Sequence, residues 1–193
     1  MKKQIIVIGG GETWNTYEDY INYLKNKEYN PYDVYDGGWK QTMQEYLGDK
    51  YDVLYIKMPS RSNAKYIEWK IWFEKLFPYF EDKVILVGHS LGANFLAKYL
   101  AENLIDVTIV QLHLVAGCFD VTGGFNLPES LNKVEEQCKD VFIYHSKDDC
   151  IVNFEDGQKY AKALPSAKFI KFENRNHFLQ SEFPEIVQNI KNS

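Results

Sequence analysis

The chain has 193 residues, of which 45% are hydrophobic and 25% charged, with a formal net charge of −5. This is the make-up of an ordinary soluble protein with a sizeable core, and the absence of any Pro-rich, Ser-rich or charged linker makes one domain over residues 1–193 the expectation. The acidic balance argues against a nucleic-acid surface, no run approaches the roughly 20 apolar residues of a membrane span, and Cys118, Cys138 and Cys150 lack metal-ligand spacing. An odd number of unspaced cysteines fits a reduced cytoplasmic setting in which they pack as small side chains.

Ile5 to Ile8 is a continuous apolar run, too short for a signal peptide's hydrophobic core, and reads as a strand covered on both faces. Gly9-Gly10-Gly11-Glu12 follows. Gly9-x-Gly11 fits the first two positions of the dinucleotide fingerprint G-x-G-x-x-G, but the third falls on Trp14, which cannot supply the close helix-to-strand contact of that glycine. The preferred reading is a glycine loop whose backbone N–H groups face an active site. Thr16 to Lys27 has Tyr17, Tyr20, Ile21 and Leu24 at helical offsets, with Glu18 and Asp19 where the helix dipole favours them. Asn30-Pro31 and Gly37-Gly38 are turn signals before a weaker helix from Trp39 to Leu47. The stretch either covers the sheet or, with Trp14 and Trp39, walls a substrate pocket.

Asp52 to Ile56 reads as the second strand, closed by Pro59, and Asn63 to Phe77 as an amphipathic helix packing Tyr66, Ile67, Ile71, Trp72 and Leu76 on the sheet. Val84 to Val87 is a third strand and Ala93 to Leu104 a helix. Thr108 to Val115 and Val141 to His145 are further strands, separated by a loop with one short helix over Glu129 to Gln137, which leaves little room for a lid. Ala167 to Phe172 is the last strand, and Pro184 opens a terminal helix bearing Ile186, Val187 and Ile190. Strands alternating with helices imply a parallel sheet whose functional residues gather beyond the carboxyl ends of the strands.

Gly88-His89-Ser90-Leu91-Gly92 lies between a strand and a helix. A serine at so sharp a turn is lifted clear of both elements, while the helix N-terminus beside it favours a developing anion. This makes Ser90 the expected nucleophile. A serine hydroxyl needs a positioned base. Of four histidines, His113 and His145 lie within strands, and His89 sits inside the turn pointing away from the hydroxyl; His177, in the polar loop after the last strand, can reach the sheet's top edge. An acid must orient that imidazole. Asp149 is preferred, with Asp148 expected to order its loop and Asp120 the remaining candidate. The order Ser90, Asp149, His177 is the α/β-hydrolase order of the triad. Leu91 N–H and that of Gly11, or alternatively Glu12, would form the oxyanion hole.

With those residues placed, the chain resembles the α/β-hydrolases, and in size the small single-domain serine hydrolases of the retinoblastoma-binding protein 9 type. The resemblance rests on Gly88 to Gly92, on Ser146-x-x-Asp149-x-x-Val152, on Asn176-His177-Phe178 and on Met58-Pro59. It implies a three-layer α/β fold, a mostly parallel sheet with helices on both faces, and carboxylic ester hydrolysis without a cofactor or metal. Gly9-Gly10 replaces the His-Gly of many relatives, Asn153 a common proline, Asn176 a glycine, and Tyr29 to Leu47 is longer than in compact relatives. The expected activity is that of a serine esterase for small to medium acyl groups acting on a small-molecule ester. The rivals are a thioesterase or amidase using the same residues, or a catalytically silent binding module.

Overall fold

The computed structural model describes residues 2–32 and 38–192. Strands β1 (Lys3–Ile8), β2 (Tyr51–Ile56), β3 (Lys83–His89), β4 (Thr108–Val115), β5 (Cys138–Ser146) and β6 (Lys168–Phe172) form one sheet in the order β2-β1-β3-β4-β5-β6. Every pairing in it is parallel. The helices are α1 (Tyr17–Asn26), α2 (Trp39–Leu47), α3 (Tyr66–Glu74), α4 (Leu91–Glu102), α5 (Asn132–Gln137), α6 (Phe154–Ala163) and α7 (Pro184–Lys191). Strand side chains alternate between faces. Ile6, Ile8, Leu86, Leu112, Leu114 and Ile143 therefore pack against α3, α4 and α6, while Ile5, Val7, Ile85, Val87 and Tyr144 pack against α2 and α7. The result is the expected three-layer α/β fold. None of the helices is long and apolar enough to cross a membrane among the described residues.

Two elements differ from the sequence reading. The helix expected over Asn63 to Phe77 is α3 with a single 3₁₀ turn on either side, at 61–63 and 77–79. Its buried face carries Trp69 and Phe73, whereas Ile67, Ile71 and Trp72 are exposed. Apolar residues surround the helix, so periodicity alone does not select the face; aromatic packing of Trp69 and Phe73 on Phe95 does. Helix α6 has no counterpart in the sequence reading. Its apolar periodicity is thin and Gly157 interrupts it, yet a Cβ at Gly157 would lie 2.7 Å from His145 Nδ1, so close packing on β5 requires glycine there. The Asn30 turn is present, with Tyr32 N–H donating to Asn30 Oδ1 (3.1 Å), while Gly37 lies outside the described residues. Cys138 is buried as expected, but Cys150 is exposed.

His113 and His145 are both fully buried on the strands. His113 closes a polar network: Gln111 Nε2 donates to Asn189 O (3.0 Å), which turns Gln111 Oε1 toward His113 Nε2 (3.0 Å). Nε2 must then carry the proton, and Nδ1 accepts from the Tyr144 hydroxyl at 2.9 Å. Burial holds this ring neutral, pushing its pKa down to about 3. Between the ordinary value of 6.5 and that depressed one, the unfolded chain binds a proton that the folded chain refuses. Stability should therefore fall as pH drops below neutrality, with a slope of at most about 1.4 kcal/mol per pH unit from this ring. Urea denaturation between neutral and mildly acid pH should show a shallower slope for His113→Gln than for the wild type, whatever the variant's absolute stability.

Candidate active site

The sheet's carboxyl edge collects four loops: residues 9–16 after β1, the turn at Ser90 after β3, the loop after β5 and the loop after β6. Ser90 is the N-cap of α4 with φ 57° and ψ −125°, a conformation that costs a non-glycine residue about 1–3 kcal/mol. Its surroundings enforce it. Ser90 N–H donates to Val115 O (2.8 Å), and a Cβ on Gly92 would lie 2.3 Å from Ile8 O, so only glycine lets α4 begin this close to β1. A Cβ on Gly88 would meet Ala93 N at 2.6 Å. Across the turn, a Cβ on Gly10 would sit 3.3 Å from Ser90 Oγ, which makes the glycine loop the wall facing the hydroxyl.

The loops after β5 and β6 are tied together. Asp148 accepts from Ser146 Oγ (2.5 Å) and from Asn176 N–H (2.8 Å), while Ser146 Oγ accepts from Arg175 N–H at 2.9 Å. This is the loop-ordering role expected of Asp148. Asp149, buried, accepts His177 Nδ1–H at 2.8 Å through Oδ2, and its Oδ1 accepts the N–H groups of Ile151 and Val152, both at 2.9 Å. Burial pushes the Asp149 carboxyl up, but the His177 bond and the two backbone N–H groups more than offset it and hold the group below its ordinary value. A proton on Nδ1 leaves His177 Nε2 with its lone pair. Asp120 is elsewhere, paired with Lys159 at 2.6 Å.

Among the described residues no hydrogen bond joins the Ser90 hydroxyl to His177. The His177 ring packs 4.9 Å from that of His89, the residue preceding Ser90. Contacts between hydroxyl and base are often long in unliganded enzymes and tighten with substrate. The His89 ring faces the His177 loop, and its Nε2–H donates to His177 O at 2.8 Å. Burial, with the charge of Lys40 adding to it, holds His89 well below its ordinary value, so the ring is neutral.

Leu91 N–H is the first in α4 and has no intrahelical acceptor. Glu12 N–H is engaged with Arg61 O (2.7 Å), which removes it as an alternative donor. Gly11 N–H has no acceptor among the described residues. Arg61 Nε donates to Gly10 O at 2.8 Å, and because the carbonyl and N–H of a trans peptide point oppositely, this bond turns Gly11 N–H away from Arg61.

The strand, turn and helix around Ser90, together with the hydrogen-bonded histidine and aspartate, can be set beside known proteins. The family described as serine hydrolase matches residues 32–188. The chain belongs to this family. Serine hydrolase RBBP9 of Rattus norvegicus is 26% identical over 167 residues, 82% of this chain and 88% of that protein. The ydeN gene product of B. subtilis shares the fold with a TM-score of 0.77 at 18% identity, covering 99% of this chain and 98% of its own. The esterase domain of a Rhodothermus marinus protein does so with a TM-score of 0.58 at 15% identity, covering 92% and 79%.

Several residues of this serine hydrolase's site escaped the sequence reading. Trp39 is not a pocket wall: it is buried behind the base loop, packs on Phe183 and donates Nε1–H to Phe178 O at 2.8 Å. Cys118 lies close to the site: its carbonyl accepts from Asn94 Nδ2 (3.0 Å) and from the Tyr160 hydroxyl (2.8 Å), and burial pushes its thiol up to about 12, so it stays a neutral thiol. Arg61 gave no signal beyond its place two residues after Pro59. Trp39→Phe keeps the ring and strands the Phe178 carbonyl. It should cost about 1–3 kcal/mol in urea denaturation.

Proposed function

We propose that this serine hydrolase cleaves carboxylic esters through Ser90, His177 and Asp149 by way of an acyl-enzyme. The observation that carries the reading is the 2.8 Å bond from His177 Nδ1 to the buried Asp149 carboxylate, on loops stapled together at the sheet edge where the Ser90 turn stands. With Nδ1–H given to Asp149, Nε2 is the nitrogen able to take the Ser90 proton as the hydroxyl attacks the acyl carbonyl. The tetrahedral oxyanion is held by the Leu91 and Gly11 N–H groups, with the N-terminal dipole of α4 adding to the field. His177 then returns the proton to the leaving alcohol. Water, deprotonated by the same ring, cleaves the acyl-enzyme. The esterase domain among the structural neighbours favours esters over other acyl groups.

A fluorophosphonate probe, which reacts with activated serines, tests the nucleophile. Mass spectrometry should place the label on Ser90 of the wild type and find none on folded Ser90→Ala or His177→Ala. Matched ester, thioester and amide substrates should be turned over in falling order of kcat/KM, the ester first. An unlabelled, folded wild type would return the chain to the silent binding module.

Arg61 is a positioning residue in this mechanism, because its Nε fixes the peptide that presents Gly11 N–H. Losing an oxyanion donor costs about 10²–10³ in kcat, and loosening one should cost less. Arg61→Ala is expected to lower kcat by roughly ten- to a hundredfold with KM little changed. The backbone bonds Glu12 N–H to Arg61 O (2.7 Å) and Ala64 N–H to Glu12 O (2.8 Å) should hold the loop in the variant, so its melting temperature is expected to stay close to the wild type's. Steady-state kinetics beside a thermal melt separate the two effects.

A further inference from the structure

A concavity of about 570 Å³ opens between α1 and the loop containing Thr122. Its near edge is Thr13, three residues beyond Gly10, so the two Cα atoms lie within roughly 11 Å and the groove adjoins the wall facing Ser90. Thr122 Oγ1 donates to Thr13 Oγ1 at 3.0 Å and ties the groove's two sides together.

The lining has a distinct chemistry. Trp14 and Tyr23 contribute aromatic rings 4.6 Å apart at 34°. Both are held: Trp14 Nε1–H donates to Ser62 O (2.9 Å), and Lys27 donates to the Tyr23 hydroxyl. Asp19, Asn22 and Asn26, at helical offsets of three and seven that place them along one face of α1, also line the groove, together with Asn15 just before the Thr16 cap. Asp19 is occupied by the Thr16 cap, and Asn26 Nδ2 donates to Asn22 O (2.7 Å). The side-chain amides of Asn15 and Asn22 have no protein partner among the described residues. No Lys or Arg lines the groove there, and Asp19 would repel an anion. A purely apolar chain would strip water from the amides without replacing its hydrogen bonds. What fits is a neutral polyhydroxylated ring, whose C–H face can lie on an aromatic ring while its hydroxyls pair with amides that both donate and accept.

We propose that this groove is a subsite for a sugar ring, and that the ester cleaved at Ser90 joins a small acyl group to a carbohydrate. The ester half of the proposal rests on the Ser90 reading of the preceding section; the subsite half stands on the groove.

Binding is therefore read on Ser90→Ala, where turnover cannot interfere. In amide-resolved NMR titrations, methyl glucoside and methyl xyloside should shift the Trp14 indole and the Asn15 and Asn22 side-chain amide signals, and benzoate should not. The Asn15→Ala/Asn22→Ala pair, both exposed, the first just before the α1 cap and the second on the helix, should abolish the shifts without unfolding the protein. On the wild type, kcat/KM for an acetylated methyl glycoside should exceed that for ethyl acetate by at least about tenfold, and the ratio should collapse in the double variant. Absence of shifts with either glycoside, or equal shifts with benzoate, overturns the subsite even where fluorophosphonate labels Ser90 normally. Sugar-specific shifts in a protein whose wild type hydrolyses no ester would overturn the ester half and the Ser90 reading together.

Discussion

The close approach of α4 to the end of β1 at Gly92 is the constraint on which the site depends. A single methyl group there would be 2.3 Å from Ile8 O, well inside van der Waals contact, so any side chain must push the helix off the sheet. Because the helix starts this close, Ser90 is forced to positive φ, Leu91 presents its N–H at the sheet edge, and the loop from Gly9 to Glu12 passes directly over the serine. The strain at Ser90 is met by the surrounding packing: α4 is buried from Leu91 through Ala101, and it has no room to relax. Geometry that chemistry requires is thus held by ordinary core energetics.

His177 is positioned by a different principle. Asn176 and Phe178 flank His177 with φ of 46° and 52°, so the loop is strained on both sides of the ring. It is held from the front by the Asp148 and Ser146 staple and from behind by His89 and Trp39, which bond the carbonyls of His177 and Phe178. Helix α2, which supplies Trp39, is what the segment before β2 contributes. Its position is a scaffold for the His177 loop, which Trp39 holds through the Phe178 carbonyl.

Much of this was legible in the residues. Continuous apolar strands, the glycines around Ser90 and the polar stretch before His177 are local signals, and each led to the right element and the right edge of the sheet. The parts that were not legible depend on contacts between distant segments. Helix α6 hides behind Gly157, whose reason is the His145 ring; the buried face of α3 depends on Phe95; and the role of Arg61 depends on which peptide its Nε meets. The partner of His89 was not legible for a similar cause, since it lies 88 residues away in sequence. That Glu12 N–H is engaged rests on one backbone bond to Arg61, for which no residue type is diagnostic.

Helix α1 has no buried residue, although its Thr16 capping box makes it a well-formed helix. Its inward-facing residues can therefore be exchanged without opening a cavity in the core or disturbing the loops that carry Ser90, Asp149 and His177. Most surface substitutions of this kind change stability by less than about 0.5 kcal/mol. Under the proposed subsite, substrate preference and the geometry around Ser90 lie on elements that can drift separately. A lineage bearing this arrangement could change what it recognises through a few neutral steps along one helix while its chemistry stayed intact.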